Sequence, residues 1–522
     1  MALDLRNLPE DAATLRGMLV AEQALRIAAE TERDAGRVRI AQLDSHIALL
    51  NRNRFGARSE KLDPDQLNFG LEDSEQERAA LAAEADSKLT PAARAAKPRR
   101  NRGNLPAHLP RIERAVDIAD KACPCCKGDL HQIGEDVAER LDIVPAQFRV
   151  IVTRRPKYAC RACEGTVVQA PAPGHIVEGG LPTEALIAQV AVSKYADHTP
   201  LYRQAGIYAR QGVELDRATL ADWMGSAAWH LMPLQAALQA DLMASEKLFA
   251  DETTAPVLDP GRGRTKTGQF WAYARDDRPW GGTSPPAVVY LYAPDRTAAR
   301  PREHLAGFRG VLQVDGYAAY GVLAETGAIT LALCWAHTRR KFYEIAAAGP
   351  APIAAEALRR IASLYKIEAD IRGSAADIRA ATRIERSKPI IDAFEPWLRT
   401  QLDTVSGKSP TAKAIRYALS HWAGLIRFID DGRLELDTNT VERSIRPQAL
   451  TRKNSLFAGS DGGARHWACL ASLIETAKLN GIDPLAYLSD ILARLAQGHP
   501  INRIAELLPW RWTPQTSTVV PR

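Results

Sequence analysis

The sequence predicts a multidomain α+β protein built around a mixed α/β domain, and three features carry that expectation. The chain has 522 residues, which suits three to five domains. After Glu246 the apolar spacing changes from helical to strand-like. Three strand patterns, a helical stretch and two further strand patterns follow, as in a mixed sheet with a crossover. Upstream, five of the seven cysteines fall into two tight groups, Cys123/Cys125/Cys126 and Cys160/Cys163, which marks a separate metal-bound module. With 46% hydrophobic and 25% charged residues the chain is neither a disordered nor a fibrous polymer.

Residues 1–85 are expected to be helical. Ile40, Leu43, Ile47 and Leu50 follow the 3-4-3 spacing of a coiled-coil seam, so this region is a candidate for dimerisation; one amphipathic helix packed on its own domain explains the spacing equally well. Residues 86–115 form a basic flexible linker poor in large apolar residues. Between Asp86 and Arg114 eight Lys/Arg stand against two acids, a local excess of six that equals the +6 of the whole molecule and suits a polyanionic partner. The start of the chain carries Asp4, Glu10 and Asp11 rather than a secretory pattern. No apolar run approaches the ~18 residues of a membrane helix, so a cytoplasmic protein without membrane contact is expected.

Residues 116–172 read as a β module with four cysteine ligands. Cys123 and Cys126 form one turn of two thiolates and Cys160 and Cys163 the other, and two such turns close a tetrahedral site for structural Zn²⁺, with Cys125 a spectator. Between them Val144, Phe148, Val150 and Val152 predict strands. Residues 173–240 turn helical. A turn at Gly212 separates two helices, the second capped by Asp216, and this layout suits a helix-turn-helix with Arg217 and Thr219 facing DNA, although many helical hairpins share it.

The mixed domain is expected over residues 241–480. KLFADETTAPVL sets Asp251 inside a strand that otherwise wants burial, a desolvation cost that requires a compensating cation or hydrogen bonds. GVLQVDGYAAY ends an apolar strand on Asp315. On neighbouring strands the two acids would face each other. Carboxylates about 4 Å apart repel by roughly 4 kcal/mol at an effective dielectric of ~20, a penalty that an oxygen-ligated Mg²⁺ or Mn²⁺ removes. Residues 349–431, with apolar Leu358, Ile361 and Leu364, predict a helical insertion, and 481–522 a C-terminal helical region.

The strings FADETTAPVLDPGRGRTKTGQFWAY, LQVDGYAAY, CWAHTRRKF and NTVERSIRPQALTRKNSLFAGS resemble the catalytic segments of insertion sequence 66 family transposases. RFGARSEKLD, the cysteine knuckles and HPINRIAELLPW match the same family in order, so the resemblance covers nearly the whole chain. It implies a DDE transposase with a ribonuclease-H-like catalytic domain and two metal ions, Mg²⁺ or Mn²⁺, held by Asp251, Asp315 and Glu442. It further implies double-stranded DNA as partner, at the element ends and the target, and a homo-oligomer on that DNA; companion proteins of the element stay open. Glu442 has a local reading too: Asn439 and Glu442 have capping-box spacing, and Pro447 would end or kink that helix. A ribonuclease-H-like nuclease or resolvase without joining activity, and a non-catalytic zinc-containing DNA-binding regulator, are the alternatives.

Further cationic residues are candidates for DNA contact. Arg262, Arg264 and Lys266 lie in a glycine-bounded turn, and Arg446, Arg452 and Lys453 follow Glu442. A solvated turn and an i,i+4 pair of Glu442 with Arg446 are the bland readings. Cys334 and His337 have the spacing of a zinc half-site without a second ligand pair nearby in sequence. The preferred reading makes His337 a phosphate contact and Cys334 a core residue, with a structural histidine as the alternative.

Overall fold

The computed structural model of the protein describes residue 111 and residues 146–159, 167–259, 261–325 and 327–514. All belong to one compact unit, Ala96–Arg522. The predicted N-terminal helix, the basic linker apart from Arg111, and Cys123, Cys126, Cys160 and Cys163 lie outside the described residues.

Two short strands, β1 (Lys157–Ala159) and β2 (Val167–Gln169), pair antiparallel. The longer strand expected through Phe148, Val150 and Val152 does not form: residues 146–156 have no regular secondary structure, and Val150 is 87% exposed. Alternation stabilises a strand only where a neighbour supplies hydrogen bonds and one face is covered. Of that alternating set it is Phe148 that finds a packing partner, edge-on to Tyr208.

Three helices follow: α1 (Glu184–Tyr195), α2 (Leu201–Ala209) and α3 (Arg217–Met243). The turn before α3 uses Gly212 at φ +79°, and the Asp216 carboxylate accepts the Ala218 N–H at 2.7 Å, the N-cap its position predicts. Leu220, Trp223, Ala227, Leu231, Leu234, Leu238 and Leu242 recur at three- and four-residue steps, and this stripe is buried.

The central sheet comprises β3 (Lys247–Asp259), β4 (Arg264–Arg275), β5 (Ala287–Ala293), β6 (Gly310–Val314) and β7 (Ile329–Leu333), with short helices α4 (Ala299–His304) and α5 (Ala318–Ala324) on either side of β6 in the chain. Its order is β5-β4-β3-β6-β7: the first three strands are antiparallel neighbours, whereas β6 and β7 run parallel to β3. β3 lies at the centre, which is why Leu248, Phe249 and Ala250 are consecutive apolar residues and all buried.

The remaining helices are α6 (Trp335–Ala348), α7 (Pro352–Ile371), α8 (Ala376–Thr382), α9 (Lys388–Thr404), α10 (Pro410–Ser420), α11 (Trp422–Leu425), α12 (Asn439–Ser455), α13 (Asp461–Leu479) and α14 (Pro484–Ala496). α7 to α11 fill the predicted insertion, and α7, α9, α10 and α11 share one core with α6, through Trp335, Phe342, Ile361, Leu364, Phe394, Ile415 and Trp422. α13 covers the outer edge of β5, where Ser472 accepts the Tyr290 N–H and Thr476 bonds both the N–H and the carbonyl of Val288. None of the described helices is long and apolar enough to cross a membrane.

Two local expectations about α12 are corrected. Thr438, not Asn439, is the N-cap, and Asn439 instead donates to Asp437 at 2.9 Å, so the expected capping box is absent. Pro447 does not end the helix, which continues for eight residues to Ser455. Proline removes one backbone donor, and here the Tyr290 hydroxyl donates to the carbonyl of Ser444 in the disturbed turn, while Ile445 and Gln448 are buried on either side.

Candidate active site

The parallel pairing of β3 with β6 sets the position of the first two acids. Phe249 lies opposite Gln313, and that register, extended two residues, carries Asp251 towards Asp315, just past the carboxyl end of β6, whose charge acts on Asp251. Gly316 turns the chain there at φ +100°, and a Cβ at that position would meet the Tyr417 hydroxyl and His421 at 3.1–3.2 Å. Asp315 accepts the Tyr317 N–H at 2.8 Å, and Asp251 accepts the Glu252 N–H at 2.7 Å.

Glu442 comes near Asp251 from the first turn of α12. It is 5% exposed; its Oε1 accepts the Thr438 hydroxyl at 2.8 Å, and its Oε2 is buried without a hydrogen bond. The segment before it is tied to the sheet twice. Gln313 on β6 makes reciprocal hydrogen bonds with the backbone of Glu435, and the buried Lys247 ammonium at the start of β3 donates to the Arg433 carbonyl at 2.8 Å. The position of Glu442 beside the strand acids therefore follows from the sheet itself rather than from sequence proximity.

Electrostatics report the convergence directly. Burial, and then the negative charges of Glu252, Asp315 and Glu442, push the Asp251 carboxyl well above its ordinary range, while His337 pulls it down. Glu252 lies on the following residue of β3 with its side chain buried, ion-paired to Arg296 and accepting the Tyr320 hydroxyl at 3.2 Å. Burial and Asp315 raise its pKa as well, opposed by Arg296. The Arg296 guanidinium lies 4.0 Å from the centre of the Tyr317 ring, and the Tyr317 hydroxyl donates to the Arg296 carbonyl. Asp437, just before the α12 cap, is pushed up to about 7, first by burial and then by the charges of Glu442 and Glu435, against the Asn439 N–H.

Sequence reasoning gave no role to Glu252, Arg296, Gln313 or Thr438. Glu252 had a signal in its place beside Asp251 in FADET; the others act through contacts between distant segments. His337 stands on the first turn of α6, its Nδ1 4.0 Å from Glu442 Oε1, and Cys334 is buried immediately before that helix.

The predicted DNA contacts are distributed more widely. Arg262 and Arg264 are exposed at the tip of the β3–β4 hairpin, with Arg262 3.5 Å from Asp259. Eight strand residues separate Asp251 from Asp259, so the tip stands about 26 Å from the acids at ~3.3 Å per residue. Lys266 is ion-paired with Asp461 at 2.7 Å. Arg452 is buried and donates to the Thr253 hydroxyl and the Thr254 carbonyl of β3. Arg446 is half-buried, Lys453 is exposed, and Arg217 and Thr219 lie exposed and half-buried in the first turn of α3.

Residues 179–466, more than half of the chain and all of the sheet, match the Transposase IS66 family. The chain belongs to that family. Residues 120–164 match the zinc-finger binding domain of transposase IS66, residues 472–510 the IS66 C-terminal element, and residues 42–114 a segment described as Transposase C of IS166 homeodomain. Among similar proteins, the uncharacterized protein y4qI of Sinorhizobium fredii is 46% identical over 98% of this chain and 99% of its own length. The uncharacterized protein y4jD of the same organism is 46% identical over 91% of this chain and 95% of its own. A third, y4hP, is 39% identical over 92% and 90%. In this member of the IS66 transposase family, Asp251, Asp315 and Glu442 all fall within the matched residues 179–466.

Proposed function

We propose that this family member is a DNA transposase that binds the ends of its insertion sequence, cleaves the DNA there with divalent metal ions and joins the freed ends to target DNA. The observation that carries the reading is the meeting of three distant acids: Asp251 carried towards Asp315 by the β3–β6 register, and Glu442 arriving with one buried oxygen unsatisfied. The sheet order β5-β4-β3-β6-β7, antiparallel on one side of β3 and parallel on the other, supports a ribonuclease-H-like catalytic domain.

The residues fit a hard cation. Burial, and then the repulsion of neighbouring carboxylates, raise the pKa of Asp251, and an unpaired buried oxygen on Glu442 is the donor that such an ion satisfies. Asp251, Asp315 and Glu442 would hold two Mg²⁺ or Mn²⁺ ions, which when bound activate the attacking oxygen and stabilise the leaving one. The chain's own work is placement. Gln313 and Lys247 fix the approach to Glu442, Thr438 orients its carboxylate, and Gly316 allows the turn that leaves Asp315 facing Asp251.

His337, 25% exposed at the rim, contacts a phosphate near the scissile bond. Arg262 and Arg264 meet the duplex roughly eight base pairs away, at ~3.4 Å per pair. Arg217, Thr219, Arg446 and Lys453 extend the same surface, which Lys266 and Arg452 support through their bonds to Asp461 and β3. Cys123, Cys126, Cys160 and Cys163 hold a structural Zn²⁺ in the segment matching the family zinc finger. The coiled-coil spacing of Ile40, Leu43, Ile47 and Leu50 supports a homo-oligomer.

The test is a cleavage and joining assay on labelled element ends, with Mg²⁺ and with chelator. Wild type cuts and joins only with metal, and Asp251→Asn binds ends but does neither. Cleavage retained in Asp251→Asn would overturn the assignment, and cleavage without any joined product would leave a nuclease.

A further inference from the structure

We propose that Cys334, His337 and Glu442 form a second metal site, selective for a thiophilic divalent ion of the Zn²⁺ class. One ligand atom from each residue, Sγ, a ring nitrogen and a carboxylate oxygen, lies within 4.8 Å of the other two. Cys334, the N-cap of α6, and His337 on its first turn come from one stretch of chain, and Glu442 from the first turn of the distant α12.

Packing leaves part of this cluster unexplained. His337 Nδ1 is buried without a hydrogen bond and needs a partner; Glu442 Oε2, also unpaired, is the oxygen that this ion would share with those proposed for the acid triad. His337 Nδ1 and Glu442 Oε1 stand 4.0 Å apart, beyond hydrogen-bond distance. A tetrahedral ion with bonds of about 2.1 Å to nitrogen and oxygen brings those donors to roughly 3.4 Å apart, a movement within side-chain rotation.

The donor set decides the ion. Thiolate and imidazole suit Zn²⁺ and Co²⁺, whereas Mg²⁺ takes oxygen ligands, so this ion differs from those proposed for the acid triad. On binding, the Cys334 thiol gives its proton to solvent as the metal–sulfur bond forms. The ion then ties the start of α12 to the start of α6 and fixes the carboxylate that faces Asp251. Only that consequence for DNA cleavage rests on the function proposed above; the site stands on its own three residues.

The experiment measures metal content of the full-length chain after dialysis against Zn²⁺ in excess Mg²⁺, for wild type, Cys334→Ser, His337→Gln and Asp251→Asn. Wild type and Asp251→Asn should hold one equivalent more than the other two. Co²⁺-loaded wild type should show thiolate-to-metal absorption in excess of that of Cys334→Ser. Equal metal content in wild type and a folded His337→Gln would overturn the proposal even if Cys334→Ser failed to fold. Loss of the extra equivalent in Asp251→Asn would also overturn it, by assigning the ion to the acid triad. Cleavage by Asp251→Asn with the extra equivalent retained would instead sink the transposase reading and leave this site standing.

Discussion

Gln313 grips the backbone of Glu435 in both directions: its side-chain amide donates to the Glu435 carbonyl at 2.9 Å and its carbonyl accepts the Glu435 N–H at 3.0 Å. Gln313 is fully buried two residues before Asp315, and Glu435 lies seven residues before Glu442, so one side chain couples the placement of two acids. Gln313→Ala leaves two backbone groups unpaired and should cost about 2–4 kcal/mol. Denaturant midpoints should fall accordingly, and cleavage should drop more than tenfold while element-end binding survives. Unchanged cleavage would show that Glu442 finds its place without this clamp.

Asp251→Asn should stabilise the metal-free protein at neutral pH. Its folded pKa lies above the ordinary 3.8, so the folded state holds a proton that the unfolded chain has lost, and stability falls as pH rises from about that value through the folded pKa. Asparagine removes the cost. Melting curves in chelator should therefore show the variant above wild type at pH 7 and the two converging near pH 4. Addition of Mg²⁺ should narrow the gap at pH 7 by stabilising wild type alone.

Arg296→Ala should expose the cost of an unpaired Glu252. The carboxylate is buried while the guanidinium is about half exposed, so screening reduces the loss to about 1–3 kcal/mol. The pKa of Glu252 is already raised by burial and by Asp315, and without Arg296 it rises further. The destabilisation should thus be larger at pH 8 than at pH 5, where the acid takes up a proton. Glu252→Gln in the same chain should recover most of it, and a double-mutant cycle measures the coupling.

Removing Arg262 and Arg264 together should weaken end binding at every sequence alike and reduce the slope of log affinity against log salt by about 2. Arg452→Ala should act differently. It strips the Thr253 hydroxyl and Thr254 carbonyl of their donor, lowering stability by ~1–3 kcal/mol with little change in salt slope. Binding isotherms across a salt series separate the two effects.

What sequence reasoning reached and missed follows from how local each signal is. β3, β4 and β5 were visible from their strand-like apolar spacing, and Asp216 from its position before a helical run. Asp315 was singled out because it ends an apolar strand. Residues 146–156 were misread because their pattern assumes a pairing partner that alternation cannot guarantee. Asn439 was misread because the cap is shifted to Thr438, and of the two outcomes expected at Pro447 the helix does not end there, its disturbed turn being supported by Tyr290, 157 residues earlier. Gln313, Lys247 and Arg296 are ordinary residues in the sequence whose importance appears only when β6, β3 and the loop after β5 are brought together. Glu442 itself needed the family resemblance, since its local spacing pointed to a cap.

The long helical excursion between β7 and α12 starts and finishes at one backbone hydrogen bond, from Trp335 N–H to the Leu436 carbonyl at 3.0 Å. Because its two ends are stapled together at the edge of the sheet, the excursion behaves like a loop drawn closed by a string. Segments added to or deleted from its helices would change its size without shifting the acids only where they leave Tyr417 donating to the Asp315 carbonyl, so length changes in related chains should fall away from that contact.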